Sequence, residues 1–148
     1  TEIYTLSLHD ALPIYHKLEP IPTGYMLVDG GKVSAALYLS GTQPLPAHKP
    51  EIASFIALAG TYLGLQVIYM DGGSGAPHPI PGDLVRAVSS TVDVPLVVGG
   101  GVRRSADAEM LFRAGADVVV VGNALEATPD GQLLRDMLET AIRCSRPS

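Results

Sequence analysis

Three glycines end an apolar run at residues 96–103, which read Leu-Val-Val-Gly-Gly-Gly-Val-Arg. Such a run is typical of a parallel strand buried on both faces, and glycine lets the backbone approach a ligand closely because it has no Cβ. A second apolar run, at residues 118–121, also ends in glycine. Two such turns side by side in a parallel sheet point backbone N–H groups at one anion. The pattern predicts a phosphate site at Gly99, Gly100, Gly101, Gly122 and Asn123, unless these residues only form tight turns.

The segment with the most reactive side chains is Tyr-Met-Asp-Gly-Gly-Ser-Gly-Ala, at residues 69–76. Because side chains alternate along a strand, Tyr69 and Asp71 share a face, and Ser74 follows as a hydroxyl donor in a glycine-rich loop. A carboxylate at the end of a strand, near a phosphate site, can accept a proton from a substrate hydroxyl. The alternative for Asp71 is an Asx-type turn or a helix cap. Asn123 has two interpretations as well, a helix cap or a hydrogen bond to phosphate.

Other chemistries have weaker support. Ser74 has no nearby histidine or lysine pattern to activate it as a nucleophile, and the glycine run does not continue into a GxGxxG fingerprint. His48 and His78 lack partners at metal-ligand spacing, and the single Cys144 provides no ligand set, so no metal site is predicted in this sequence. Two neighbouring arginines, Arg103 and Arg104, either add charge near the anion or lie in solvent.

Alternating strands and helices must position these residues. Residues 50–64 have the pattern of a helix, with Pro50 in its first turn, Gly64 at its end, and an apolar stripe of Ile52, Phe55, Ile56, Ala59, Tyr62 and Leu63. Strands are predicted at residues 65–69, 94–98 and 118–121. Helices are predicted at residues 83–89, from a Ser105 cap to Gly115, and after an Asp130 cap. This alternation predicts a parallel α/β sheet, which binds ligands at the carboxyl ends of its strands.

The region before residue 50 is less regular. Two prolines, Pro20 and Pro22, cannot donate ladder hydrogen bonds, so residues 23–25 are predicted to leave the sheet at a strand end. Residues 32–49 have no helix signal, and an excursion of this length is predicted to cover a site. Residues 1–14 resemble a translated sequencing adapter and are predicted to be non-native, which leaves residues 15–148 as the domain.

Composition limits the class of protein. The chain has 148 residues, 47% of them hydrophobic, and a mean hydropathy of +0.26, which suits one domain with a sheet covered by helices. A net charge of -5 with no basic cluster argues against nucleic-acid binding. No apolar run approaches the roughly 18 residues of a membrane span, and no secretory signal is evident. A soluble, cytoplasmic protein is therefore predicted.

Four segments in order resemble the geranylgeranylglyceryl phosphate synthase family, particularly its bacterial branch. They are residues 20–25, 69–76, 95–103 and 114–126. The resemblance implies the C-terminal half of a TIM-type (β/α)8 barrel, a fold of about 250 residues. It also implies prenyl transfer for ether phospholipid biosynthesis: the free hydroxyl of sn-glycerol 1-phosphate attacks a long-chain prenyl diphosphate and releases pyrophosphate.

The resemblance assigns roles to residues. Asp71 takes the hydroxyl proton, although the family commonly has Glu there. Tyr69 and Ser74 orient the glycerol phosphate, the two glycine turns hold its phosphate, and Thr23 and Tyr25 line the same pocket. Mg²⁺ is implied as the cofactor, bound by acidic residues of early strands that this sequence does not contain. The isolated chain is therefore expected to have little synthase activity.

Two alternatives remain open at the level of sequence. One is a non-catalytic phosphate-binding half-barrel that self-associates, since an open parallel sheet exposes two edges; a homo-oligomer is expected in either case. The other is a different phosphate-binding barrel enzyme of biosynthesis.

Overall fold

The fold comes from a computed structural model that describes residues 17, 19–32, 38, 41–128 and 130–145. Within these residues four strands and five helices follow one another. They are β1 (Thr23–Leu27), α1 (Pro50–Tyr62), β2 (Val67–Asp71), α2 (Gly82–Ser89), β3 (Leu96–Gly99), α3 (Ser105–Ala114), β4 (Val118–Val120), α4 (Asn123–Glu126) and α5 (Gln132–Cys144). The hypothesis about residues 1–14 lies outside the described residues.

The four strands form one parallel sheet in the order β1-β2-β3-β4. The register pairs Leu27 with Asp71, Asp71 with Gly99, and Gly99 with Val120. The carboxyl ends of all four strands therefore meet at one edge of the sheet. Because the strands are parallel, each connection must return from the carboxyl end of one strand to the amino end of the next. Helices α1, α2 and α3 lie in these crossover connections.

The core lies on the face of the sheet that the helices cover. Alternate strand residues Ile68, Met70, Leu96 and Val98 are fully buried there. The residues between them point to the opposite face, where Tyr25 is 51% exposed and Val118 and Val120 are exposed as well. The sequence therefore builds one covered face and one open face from the same strands.

Helix α1 packs on a face that its sequence does not suggest. Its buried residues are small (Ala53, Ser54, Ala57 and Gly60), whereas most of the predicted apolar stripe is exposed, with Phe55 at 70% and Tyr62 at 83%. The predicted helix is present, but its apolar stripe is not its buried face. Small side chains let the helix approach the sheet closely. A Cβ on Gly60 would lie 3.1 Å from Cδ1 of Leu65, just before β2, and 3.5 Å from Cδ1 of Ile68 within β2.

Two sequence-based boundaries also need correction. Residues 23–25 do not leave the sheet, because β1 begins at Thr23; Pro20 and Pro22 lie before the strand, where no ladder donor is lost. Strand β2 runs over Val67–Asp71, so Asp71 is its last residue.

Among residues 32–49, the described segment 41–49 pairs through Leu45 with the end of β1, and its Leu45 amide donates to the Leu27 carbonyl at 2.7 Å.

Helix α3 is capped by Asp107 rather than by the predicted Ser105, which is its first helical residue. Asp107 Oδ2 accepts hydrogen bonds from the amides of Arg103 at 3.1 Å and Arg104 at 3.0 Å, and Oδ1 accepts one from the Arg104 guanidinium at 3.0 Å. Burial raises the pKa of Asp107, but these hydrogen bonds outweigh it, so the pKa is lower than usual. Asp107 thus fixes the chain immediately after the glycine turn. Gly115 ends the helix in the left-handed conformation, as predicted.

We predict that Asp107→Ala lowers the free energy of unfolding by about 2 kcal/mol, since two part-buried backbone amides lose a charged acceptor. Ser105→Ala is the matched control and should change it by less than about 0.5 kcal/mol. Because the folded-state pKa is lowered, the Asp107 contribution is complete above the unfolded pKa of about 3.9 and is lost as the pH falls. Urea titrations across this pH range measure both effects; equal losses in the two variants would contradict the assignment.

Candidate functional site

A cavity of about 600 Å³ opens at the edge of the sheet where the strands end. The loops after β2, β3 and β4 line it, together with the short helix α4. Its lining residues are Tyr69, Asp71, Gly73, Ser74, Gly75, Ala76, Gly100, Gly101, Val102, Arg103, Val120, Val121, Gly122, Asn123, Ala124, Ala127 and Thr128. This is the edge that a parallel sheet with helical crossings uses for ligands.

The triple glycine turns sharply against the loop that follows β2. Gly100 and Gly101 have φ angles of 88° and 71°, which side-chain-bearing residues rarely adopt. A Cβ on Gly101 would lie 2.0 Å from the carbonyl oxygen of His78, and one on Gly100 would lie 2.8 Å from Cα of Gly72. Only glycine fits at these two positions, so the turn presents bare backbone to the cavity.

Asp71 uses both carboxylate oxygens. Its Oδ1 accepts a hydrogen bond from the Gly73 amide at 2.8 Å, and its Oδ2 accepts one from the hydroxyl of Tyr25. The first contact is the Asx-type turn that the sequence left open as an alternative. A carboxylate has about four acceptor positions, so these two contacts orient Asp71 without exhausting its capacity to accept a proton.

Two tyrosines frame this carboxylate. The rings of Tyr25 and Tyr69 meet edge to face with centroids 5.2 Å apart, and a Cβ on Gly99 would lie 2.8 Å from the Tyr69 hydroxyl oxygen. Burial raises the pKa of both phenols; for Tyr25 the hydrogen bond to Asp71 and the negative charge of Asp71 add to this increase. Both hydroxyls therefore stay protonated at neutral pH, and Tyr25 remains a donor to Asp71.

We predict that part of the phenol ionisation of the folded chain occurs well above the ordinary pKa of about 10, because burial and the adjacent Asp71 carboxylate both raise the pKa of Tyr25. Tyr25→Phe should remove this late fraction from an ultraviolet absorbance titration, and Asp71→Asn should move it to lower pH. Tyr62→Phe, at an exposed position, is the control and should leave the late fraction intact. A titration that Asp71→Asn does not change would contradict the coupling.

A hydrogen bond joins the loop after β2 to α4: the Ser74 hydroxyl donates to Oδ1 of Asn123 at 3.2 Å. Asn123 is the first residue of that helix, and its side chain makes no capping hydrogen bond. Of the two interpretations of Asn123, the helix cap is therefore not formed, and the side chain links two walls of the cavity.

The structure brings most of the predicted site residues together. Seven of them line the cavity, namely Tyr69, Asp71, Ser74, Gly100, Gly101, Gly122 and Asn123. Gly99 lies beneath the Tyr69 hydroxyl, and Tyr25 reaches the group through Asp71. Thr23 does not join it, because it pairs with Val67 at the opposite end of the sheet and its hydroxyl donates to the Ile21 carbonyl at 3.0 Å.

Sequence reasoning left one lining residue undecided. Arg103 lines the cavity and its Nη2 donates to the carbonyl of Ala76 at 3.2 Å, whereas Arg104 bonds to Asp107. The residue that distinguishes them is Asp107, three positions after Arg104, which pairs with the Arg104 guanidinium and not with that of Arg103.

The described residues do not fit a metal centre. Among them, no three His, Cys, Asp or Glu side chains converge on a point that holds a cation. In the same part of the chain, no helix is long and apolar enough to cross a membrane.

Comparisons with known proteins agree on one family. A profile described as the PcrB family matches residues 2–141. Geranylgeranylglyceryl phosphate synthase of Spirosoma linguale is 47% identical over 135 residues, which cover 90% of this chain and 53% of that protein. The synthase of Pyrococcus horikoshii is 44% identical over 126 residues, which cover 85% of this chain and 48% of that protein. The chain thus spans about half the length of these relatives.

The fold matches solved structures of the same kind. One is the (S)-3-O-geranylgeranylglyceryl phosphate synthase of Thermoplasma acidophilum, solved in complex with its substrate sn-glycerol-1-phosphate. It superposes with a TM-score of 0.82 at 31% identity, covering 90% of this chain and 54% of that one. The synthase of Thermoplasma volcanium gives 0.79 at 29% identity. The predicted α/β fold, half of a TIM-type barrel, is confirmed.

Proposed function

The chain belongs to the PcrB family, and from that premise we propose that it carries the glycerol phosphate half of a prenyltransferase site. The reaction joins sn-glycerol 1-phosphate to a long-chain prenyl diphosphate through an ether bond. The observation that carries this proposal is the position of Asp71, held by Tyr25 and Gly73 at the rim of a cavity whose other wall is the bare glycine turn.

The phosphate of the substrate would bind at the two glycine turns. Backbone amides of Gly99, Gly100 and Gly101 would reach it from one side, and those of Gly122 and Asn123 from the other. Support comes from the close packing of the first turn, which leaves no room for side chains, and from the open space at Gly122, where a Cβ would meet nothing within 4 Å. Backbone amides are suited to this task because they are fixed donors that need no reorganisation.

Asp71 would act as the general base. As the free hydroxyl oxygen of the glycerol phosphate forms a bond to the allylic carbon, the bond from that carbon to the diphosphate breaks and pyrophosphate leaves with the electron pair. The hydroxyl proton passes to Asp71. Tyr25, which remains protonated, would orient the carboxylate, while Tyr69 and Ser74 would orient the glycerol.

Mg²⁺ is an expectation of the family resemblance, and the described residues offer no set of ligands for it. A cytoplasmic location, the prenyl diphosphate as second substrate and a homo-oligomer are part of the proposal. The homo-oligomer is supported by exposed apolar residues: Phe55 and Tyr62 on α1, Leu63 directly after it, and Leu138 and Ile142 on α5.

The proposal predicts activity once the other half of the barrel is supplied. A fusion of this chain to the N-terminal half of the Spirosoma linguale relative should form the prenyl ether of sn-glycerol 1-phosphate, detected by mass spectrometry of the lipid extract. The chain alone should form little or none. A folded fusion without product would contradict the function, and full activity of the chain alone would contradict the assignment of a half site.

A further inference from the structure

Arg103 and Arg104 are adjacent cations with different surroundings. The guanidinium of Arg104 is paired with Asp107 at 3.0 Å. The guanidinium of Arg103 forms no ion pair with any described carboxylate, and its Nη2 bonds only to the neutral carbonyl of Ala76. Within the part of the chain that the structure describes, the positive charge of Arg103 is therefore not compensated by a carboxylate.

That charge lies at the cavity. Arg103 is the one lysine or arginine among the described lining residues, and Asp71 is the one carboxylate. A guanidinium has five N–H donors, and the Ala76 carbonyl engages one of them. The remaining donors form a planar fork, which matches the oxygens of a phosphate.

Backbone and side-chain hydrogen bonds fix the segment that carries Arg103. The amides of Arg103 and Arg104 both donate to Oδ2 of Asp107, and Arg104 has extended angles of -136° and 156°. The Arg104 guanidinium pairs with Asp107, whereas that of Arg103 bonds to the Ala76 carbonyl in the wall of the cavity. The bond to Ala76 also ties the loop that bears Ser74 to the end of the glycine turn.

We propose that Arg103 is a substrate-binding residue that pairs with the phosphate dianion in this cavity, and that Arg104 has only a structural role. This inference rests on the proposed function, because it takes the cavity to be the glycerol phosphate site. It adds a charged side chain to a site that otherwise binds phosphate through backbone amides. In a chain with a net charge of -5, such a local cation offsets the repulsion between the phosphate and Asp71.

The two arginines make a matched pair for calorimetry. The whole chain would be titrated with sn-glycerol 1-phosphate as wild type, Arg103→Met, Arg103→Lys and Arg104→Met. We expect Arg103→Met to weaken binding by about tenfold or more and Arg104→Met by less than about twofold. Arg103→Lys should restore part of the affinity, because the charge returns without the planar fork. The affinity of the wild type should also fall more steeply with added salt than that of Arg103→Met.

The outcomes distinguish a failure of the Arg103 role from a failure of the proposed function. Binding by the wild type that Arg103→Met leaves unchanged, or an equal loss in Arg104→Met, overturns the role of Arg103 while the proposed function stands. Absence of binding by the wild type contradicts the proposed function and this inference with it. Circular dichroism of each variant ensures that a loss of affinity is not a loss of fold.

Discussion

Asp71→Asn is expected to lower the turnover of the barrel fusion by about 10²- to 10⁴-fold, the usual contribution of a general base. Asparagine has nearly the same shape, and its amide oxygen can keep one of the two hydrogen bonds that orient the carboxylate, from Tyr25 or from Gly73. It cannot take a proton from the substrate hydroxyl. The affinity for sn-glycerol 1-phosphate should therefore change by only a few-fold, because the phosphate is held elsewhere.

Two controls sharpen this prediction. Asp71→Glu keeps the base and adds one methylene, which gives the residue that the family commonly has, so it should retain far more turnover than Asp71→Asn. Tyr25→Phe removes a donor to the carboxylate but leaves the base, so it should cause a smaller loss. Single-turnover kinetics and calorimetry on the same preparations separate chemistry from binding. Unchanged turnover in Asp71→Asn would exclude Asp71 as the base.

The second large effect is expected for Gly101→Ala, both in stability and in binding. Alanine at a φ of 71° costs about 1–2 kcal/mol from the backbone alone. Its Cβ would also meet the carbonyl oxygen of His78 at 2.0 Å, which a flexible side chain could relieve but a backbone cannot. The turn must open, so we expect a total loss of about 3 kcal/mol or more and a Kd for glycerol phosphate at least about 100-fold weaker.

Gly122→Ala is the matched control for stability, because Gly122 lines the same cavity with a φ of -118° and open space around its Cβ position. The free energy of unfolding of Gly122→Ala should differ from that of the wild type by less than about 0.5 kcal/mol. Chemical denaturation of the two variants measures the contrast directly. If Gly101→Ala proved as stable as Gly122→Ala, the close packing of Gly101 against the His78 carbonyl would be contradicted.

Much of this arrangement follows from local sequence rules. Apolar runs that stop at glycine give parallel strands whose carboxyl ends share an edge, so the convergence of Asp71, Gly99 and Gly122 near one cavity was predictable. Alternation along β2 likewise places Tyr69 and Asp71 on one face. These features depend on neighbouring residues in the chain and on the handedness of the connections, which sequence patterns capture well.

Sequence patterns do not predict the features that depend on tertiary packing. The exposed stripe on α1 is as apolar as a core stripe, and only the close approach permitted by Ala53, Ala57 and Gly60 decides which face is buried. Thr23 belongs to the same segment as Tyr25, but it begins β1 and so lies at the amino end of the sheet, away from the cavity. The different surroundings of Arg103 and Arg104 depend on Asp107. A sequence pattern does not decide whether Asp107 or Ser105 caps α3.

The central claim is that the glycine turns and Asp71 form a glycerol phosphate site, and amide chemical-shift mapping by NMR tests it most directly. Titration of the isotope-labelled chain with sn-glycerol 1-phosphate should shift the amides of residues 73–76, 99–103 and 122–124 in a saturable manner. The enantiomeric sn-glycerol 3-phosphate should bind more weakly, because it moves the free hydroxyl away from Asp71. Shifts confined to other residues, or no saturable shifts at all, would contradict the account.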